Sequence, residues 1–167
     1  GIPVWHDDQQ GSATVLLAAL INALLLVDKS LDEIRIAMIG TGAANVATHR
    51  LLVQYGVDPA QIVACDSQGI LNRRRQDIEK KQDQLQDKWQ VCVESNPDQV
   101  DGGIAESLRN ADVCIAFSQS GPDVIKPAWI HGMADDAIVF ACANPIPEIW
   151  PWLATEAGAA IVGTGRS

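Results

Sequence analysis

Short apolar runs alternate with helical patterns along most of the chain. Five of the runs read as buried strands: RIAMIG, QIVACD, ADVCIAFS, DAIVFACANP and AAIVGTG. The helical patterns between them are GAANVATHRLLVQYG, GIAESLRN, KPAWIHGM and PWLATEAG. Strands that alternate with helices every 20 to 30 residues or so favour a parallel sheet covered on both faces. The sequence therefore predicts one doubly wound α/β domain over residues 1–167, with ligands bound beyond the carboxyl ends of its strands.

Two stretches stand apart from this alternation. The apolar run from Gly11 to Val27 is short for a membrane span and contains Ser12, Thr14 and Asn22, so it predicts a buried core helix. Residues 67–103 are rich in charge and glutamine, and we expect a loop followed by an exposed helix there.

Composition excludes several kinds of partner. The net charge is −9 and no basic stripe is present, which argues against nucleic acid and anionic membrane. The four cysteines are far apart, with no CxxC pair, and are typical of buried thiols in a reduced, cytoplasmic protein. The chain opens on Gly1 rather than Met and stops soon after its last strand, so we expect it to be a fragment of a longer protein.

The first predicted strand runs directly into IGTGAAN. Gly40 permits a tight turn, Gly42 lets the backbone approach a pyrophosphate, and the following helix points its positive end at the same place. This is the pattern of a Rossmann-type dinucleotide site, although Asn45 stands where a glycine or alanine is usual.

An acid and three arginines follow the second predicted strand. Asp66 is placed to bond the adenine ribose hydroxyls, which favours NAD; the alternative is a turn residue before Ser67. The run Arg73, Arg74 and Arg75 could hold the 2′-phosphate of NADP, or it could be solvated surface.

The loops after the later strands offer small and amide side chains. SQSG, from Ser118 to Gly121, is a loop where a cofactor could lie against the backbone. ANPIPE places Asn144 at the tip of its strand and stiffens the loop with two prolines. The amide of Asn144 could contact a cofactor, or it could simply form a turn.

Asp7 and Asp8 precede the apolar helix as an adjacent acidic pair. One carboxylate is enough to cap a helix, and two repel each other unless a cation lies near. Oxygen ligands suit Mg²⁺ or Mn²⁺, but the pair alone does not complete such a site. We expect the pair to lie in the same cleft as the strand ends.

The motifs taken together resemble the cofactor-binding domain of malic enzymes over essentially the whole chain. They occur in the order GIPVWHDDQQGSATVLLAALINAL, IGTGAANVA, ACDSQGIL, ADVCIAFSQSG, FACANPIPEI and GAAIVGTGRS. The opening around the acidic pair, the CDSxG turn and the ANPxPE segment carry the resemblance more specifically than the glycines do. Asn45 is the clearest departure.

The resemblance implies roles for individual residues. Asp8 would be a ligand of the catalytic Mg²⁺ or Mn²⁺, and Asp7 would hold and tune a catalytic lysine. The positions that would bind NAD, with NADP as the alternative, are Ser12, Gly40, Gly42, Ala43, Ala44, Asp66 and Asn144, in addition to Ser118 from the loop above.

The resemblance also implies what the rest of the protein supplies. In malic enzymes the base lysine, the acid tyrosine and two further acidic metal ligands lie in a preceding domain. The complete enzyme would oxidise L-malate, release CO₂ and form pyruvate, commonly as a homo-oligomer. We expect this chain alone to bind the dinucleotide weakly and to turn over no malate.

Two other functions fit parts of the pattern. One is the cofactor domain of another amino- or hydroxy-acid dehydrogenase, such as the glutamate or shikimate classes, which would not need Asp7 and Asp8. The other is a non-catalytic nucleotide-sensing module that uses the glycine turn alone.

Overall fold

The structure, a computed structural model, describes residues 10–165. The strands are β1 (Ile36–Ile39), β2 (Ile62–Asp66), β3 (Gly69–Ile70), β4 (Val113–Ala116), β5 (Ile138–Ala141) and β6 (Ile161–Thr164). The helices are α1 (Ser12–Leu26), α2 (Ala43–Tyr55), α3 (Gln76–Glu79), α4 (Gln86–Glu94), α5 (Ile104–Leu108), α6 (Pro127–Ile130) and α7 (Pro151–Glu156). The five predicted strands and the helices between them are confirmed.

The strands form one sheet in the order β3-β2-β1-β4-β5-β6. All neighbouring pairs are parallel except β2 and β3. β3 was not predicted, and it makes the sheet mixed at one edge. A tight turn explains it: the amide of Gln68 donates to the Asp66 carboxylate at 2.9 Å, and Gly69 has φ +124°. An Asx-type turn followed by a left-handed residue sends the chain back along the strand that it has just left.

Alternate residues of the strands feed two separate cores, one on each face of the sheet. In β1, Ile36 and Met38 join the core beneath α1, α2 and α4, whereas Ala37 and Ile39 join the core beneath α5, α6 and α7. This alternation confirms the doubly wound architecture, because each strand is buried on both faces.

α1 packs against the core along one face and is exposed along the other. Leu16 and Leu20 are buried against the sheet, but Val15, Leu25 and Leu26 are 71%, 76% and 79% exposed. The predicted core helix is confirmed, but only one of its faces is buried, because an uncharged sequence does not show which face will find a neighbour. Across the described residues, none of the helices is both long and apolar enough to cross a membrane.

The glutamine-rich stretch is more ordered than its composition suggested. It forms β3, α3 and α4, and the last of these is not an exposed helix: Val91 and Cys92 lie in the core, and Ile78 of α3 is buried beside them. Leu85 and Trp89 are partly buried against the same core. The many charged and glutamine residues between these apolar positions hid the buried face in the sequence.

Candidate functional site

The residues predicted from the sequence to bind a cofactor gather at one edge of the sheet. Gly40 follows β1, Asp66 ends β2, Ser118 comes two residues after β4 and Asn144 three residues after β5. Since these strands are parallel, their carboxyl ends share that edge. The order of the strands changes direction between β1 and β4, which is where sheets of this kind bind dinucleotides.

The glycine turn is constrained at one position and open at the other. Gly40 has φ +91°, and a Cβ built on it would lie 2.3 Å from the carbonyl oxygen of Phe117. Gly42 has an ordinary φ of −76°, and a Cβ there would meet nothing within 4 Å. The fold itself therefore requires glycine at Gly40. At Gly42 the structure leaves open space that a bound group could use.

The open space lies at the start of α2, a 13-residue helix with Gly42 at its N-cap. Ala43 and Ala44 open the first turn, which contains no acidic residue. The first amides of a helix have no partner within it and carry partial positive charge. A phosphate placed at Gly42 would face those amides without competition from a carboxylate.

Asn45 braces the turn. Its side chain is buried, and Nδ2 donates to the carbonyl oxygens of Ile39 at 2.9 Å and Gly40 at 2.7 Å. The residue that departs from the usual glycine pattern thus fixes the end of β1 to the first turn of α2.

Asp66 lies in a saturated network of charges. Its Oδ1 accepts from the amide of Gln68 at 2.9 Å and from Nη1 of Arg75 at 3.1 Å. Its Oδ2 accepts from Nη2 of Arg75 at 3.0 Å and from Nζ of Lys88 at 2.9 Å. Burial by itself would raise the pKa of Asp66, but the hydrogen bonds from Arg75 and Lys88 outweigh it and hold the pKa below 3.8. A carboxylate offers about four lone pairs, so a ribose hydroxyl could bond Asp66 only if one of these donors withdrew.

The three arginines divide into two groups. Arg75 turns inward and bridges Asp66 and Asp77, with only 12% of its side chain exposed. Arg73 donates to the carbonyl oxygen of Val93, and Arg74, which is 62% exposed, to that of Gln99. The surface reading fits Arg74, whereas Arg75 is engaged by two acids of the chain; that any of the three holds a 2′-phosphate stays a prediction.

The loops after β4 and β5 are joined by one buried carboxylate. Glu148 has no exposed surface. Its Oε1 accepts from the amide and the hydroxyl of Ser118 at 2.8 and 3.0 Å, and its Oε2 accepts from the amide of Ala143 at 3.0 Å. The hydroxyl of Ser118 is therefore committed to the protein, and the backbone of this loop is what remains for a cofactor. Asn144 is exposed directly beyond the clamp, and its bond to Pro145 is cis.

A cavity of about 330 Å³ opens between the start of α1 and the ends of β4, β5 and β6. Ser12 and Asn144 both line it, so the structure brings these two predicted residues together. Phe117 and Cys142 form part of its apolar wall. Burial raises the pKa of Cys142 to about 12, so its thiol stays neutral and serves as wall. The volume falls in the range of small-molecule sites.

The acidic pair Asp7 and Asp8 lies outside the described residues. Within residues 10–165, no group of three or more His, Cys, Asp or Glu side chains could hold a metal ion. The expectation that the pair shares a cleft with the strand ends stays a prediction.

Two residues of the site were missed from the sequence. Glu148 stands inside the quoted ANPIPE segment, but nothing in its sequence signals a carboxylate that would be buried. Lys88 lies in the glutamine-rich stretch, 22 residues after Asp66, and only the packing of α4 brings the two together.

Comparison with known proteins gives one consistent family. The family described as "Malic enzyme, NAD binding domain" matches residues 9–165. The bifunctional malic/malolactic enzyme of Bacillus subtilis is 44% identical over 99% of this chain and 38% of its own length. The NADP-dependent malic enzyme of Halomonas elongata is 38% identical over 99% of this chain and 37% of its own.

A solved structure of a similar protein points to the same family. The malic enzyme of Entamoeba histolytica superposes with a TM-score of 0.94 at 51% identity, covering 99% of this chain and 34% of that one. The chain thus spans little more than a third of the length of each of these three proteins.

Proposed function

Because the chain belongs to the malic enzyme family, in which it corresponds to the NAD-binding domain, we propose that it holds the nicotinamide cofactor for the oxidative decarboxylation of malate. One observation carries the proposal. A glycine turn with free space at Gly42, the acid Asp66 and a pocket shared by Ser12 and Asn144 all lie at the carboxyl edge of one sheet.

The predicted binding residues divide the cofactor between the two ends of this edge. The pyrophosphate would lie at Gly42, Ala43 and Ala44, where the helix amides favour negative charge. The adenosine would extend over β2 towards Asp66, and the nicotinamide would reach the cavity between Ser12 and Asn144. Bound there, the nicotinamide would accept a hydride from C2 of malate.

The residues at the nicotinamide end bind and orient. The Asn144 amide can donate to one group and accept from another, and the Glu148 clamp fixes the loop from which it projects. Phe117 and Cys142 would keep water from the ring, because both present apolar surface to the cavity.

We propose NAD as the preferred cofactor. The arginine nearest to Asp66 has no donor to offer a 2′-phosphate: Arg75 uses all five on Asp66, Asp77 and the carbonyl oxygen of Gly69. Calorimetric titration of both dinucleotides tests this, and tighter binding of NADP would overturn it.

The remaining assignments rest on the family resemblance. Asp8 would be one ligand of Mg²⁺ or Mn²⁺, and Asp7 would hold the base lysine of a catalytic domain elsewhere in the same protein. That domain fits the share of the relatives' length that this chain leaves uncovered. We also propose a cytoplasmic homo-oligomer; the four free thiols suit a reducing compartment.

The activity is tested on the complete natural protein. We expect malate-dependent reduction of NAD with formation of pyruvate and CO₂. Gly42→Ala should weaken dinucleotide binding roughly tenfold, about 1.4 kcal/mol, because its methyl group enters the space left for the pyrophosphate. Gly132→Ala is the control: a Cβ there comes no closer than 3.4 Å to Trp129, in the turn that leads away from the site edge. Equal binding by the two variants, or no reduction of either dinucleotide with malate, would refute the proposal.

A further inference from the structure

Glu148 differs from the other acid of the site because it has no cation beside it. Its side chain has no exposed surface, and none of the ion pairs within residues 10–165 involves it. Asp66, by contrast, is paired with Arg75 and Lys88. A buried charge is costly unless it is paired. The carboxylate of Glu148 therefore calls for an explanation beyond the fold of its own loop.

The partners of the Glu148 carboxylate are all hydrogen-bond donors. Oε1 accepts from the amide and the hydroxyl of Ser118, and Oε2 accepts from the amide of Ala143. Donors directed at both oxygens fit the ionised form, which can only accept. These donors are neutral groups. They stabilise the negative charge but do not cancel it.

The charge lies directly behind the wall of the cavity of about 330 Å³. Ser118, which holds Oε1, follows Phe117 of that wall in the chain. Ala143, which holds Oε2, follows Cys142 of the same wall. One layer of backbone thus separates the carboxylate of Glu148 from the open space.

The thiol of Cys142 senses this charge at the wall. Burial raises the pKa of Cys142 to about 12, and the negative charge of Glu148 acts in the same direction. A second negative charge nearby disfavours a thiolate, and by the same field it favours a cation. Since protein of low dielectric screens charge weakly, a positive group inside the cavity would be stabilised by Glu148.

On the basis of the proposed function, which places the nicotinamide ring in this cavity, we propose that Glu148 makes the site prefer the oxidised dinucleotide to the reduced one. The ring carries a positive charge in NAD and none in NADH, whereas the rest of the two molecules is the same. The charge of Glu148 therefore attracts NAD and leaves NADH unaffected. This preference favours binding of the oxidised cofactor and release of the reduced one, which suits the oxidation of malate.

Calorimetric titration of the complete natural protein with NAD and with NADH tests the preference through the ratio of the two dissociation constants. Glu148→Gln should lower the preference for NAD over NADH about fivefold. Loosened loops would weaken the binding of both dinucleotides alike, so the ratio separates the charge from the structural role of the residue. An unchanged ratio would overturn the proposal. A parent protein that binds neither dinucleotide would instead refute the proposed function, and the preference with it.

Two control variants match the two effects of removing Glu148. Ser120→Ala loosens the same loops and leaves the charge in place, because the Ser120 hydroxyl donates to the carbonyl oxygen of Ile146 and accepts from its amide, both at 3.1 Å. Glu156→Gln removes the same net charge at the exposed end of α7. Both variants should keep the parental ratio. A shift in either one as large as that of Glu148→Gln would overturn the proposal.

A probe without a ring charge tests the preference on the parent protein, even if Glu148→Gln does not fold. A dinucleotide in which benzamide replaces nicotinamide has the shape of NAD and an uncharged ring. The parent should bind this analogue about fivefold more weakly than NAD. Equal affinities for NAD and the analogue would show that Glu148 does not act on the ring charge.

Discussion

The two halves of the carboxyl edge are built on opposite plans. Around β1 and β2, the charged side chains at Asp66 are paired within the protein: Asp66 uses all its lone pairs and Arg75 is enclosed between two acids. Around β4, β5 and β6, one carboxylate, Glu148, closes the loops, and the cavity in front of Asn144 stays open. The first half is held in shape by charge before any ligand arrives. The second leaves the exposed side chain of Asn144 and an open cavity for a ligand.

The turn between the halves gives the largest expected effect. Gly40→Ala should destabilise the protein by about 3 kcal/mol or more, because its Cβ would collide with the Phe117 carbonyl and φ is left-handed. Gly42→Ala should stay within about 1 kcal/mol of the parent, since the position is open. Urea unfolding measures both. Similar stabilities would show that the turn does not lock the two halves together.

In the half around β4, β5 and β6, one residue, Glu148, holds the loops together. Glu148→Gln should cost roughly 2–3 kcal/mol, because one oxygen becomes an NH₂ group that faces N–H donors. Dinucleotide binding should weaken as well, as the Ser118 and Asn144 loops separate. Glu156→Gln, at the exposed end of α7, is the control. A Glu148→Gln protein with parental stability would mean that the loops hold without the clamp.

In the half around β1 and β2, the Asp66 carboxylate is stabilised by several partners rather than by one. Arg75→Ala should cost roughly 1.5 kcal/mol, less than breaking a fully buried pair, because Lys88 and Gln68 still serve Asp66. Arg74→Ala should change the free energy of unfolding by less than about 0.5 kcal/mol, as an exposed side chain. Equal unfolding free energies of Arg75→Ala and Arg74→Ala in urea would contradict this difference between a buried and an exposed arginine.

These contrasts also separate what the sequence could predict from what it could not. β1, the glycine turn and α2 with its closing Gly56 were predictable, because strand, turn and cap signals lie next to one another in the chain. Ser12 was named from the resemblance and Asn144 also from its place at the tip of a strand, and their shared cavity agrees with a common role.

The missed features all depend on packing. The β2–β3 pairing, the approach of Lys88 to Asp66 and the burial of Glu148 each require a segment distant in sequence, or a turn whose direction local propensity does not set. Asn45 shows a different limit. In the sequence it counted as a departure from a pattern, whereas its two bonds to carbonyl oxygens show a second way of fixing the same turn.

The free energy of unfolding should depend on pH through His49, which lies in the half around β1 and β2. Its folded-state pKa lies below the unfolded value of 6.5, with Glu94, Arg50 and Lys88 as its charged neighbours. Above pH 6.5 the His49 imidazole is neutral in both the folded and the unfolded protein. As the pH falls below 6.5 the unfolded chain takes up the proton first, so stability is lost, by at most about 1.4 kcal/mol per pH unit. The difference in unfolding free energy between the parent and His49→Gln, followed from pH 8 to 5, isolates this loss. A constant difference would contradict it.

The smallest effect concerns the choice of dinucleotide. Lys88 is the cation at Asp66 that keeps unused donors, and a quarter of its side chain is exposed. Lys88→Gln should weaken NADP binding about threefold, near 0.7 kcal/mol, and leave NAD binding almost unchanged. Calorimetry with both dinucleotides measures the ratio. An equal loss for the two would place Lys88 in stabilising the fold only.

The half-covered α1 has a practical consequence for anyone who handles the 167-residue chain. Like molecules carrying a net charge of −9 repel each other in dilute buffer, but the bare strip formed by Val15, Leu25 and Leu26 bears no charge of its own. Added salt shortens the range of that repulsion to about 10 Å at 0.1 M and leaves the attraction between strips in place. Preparations of this chain should therefore stay clear at low ionic strength and begin to self-associate as salt is added.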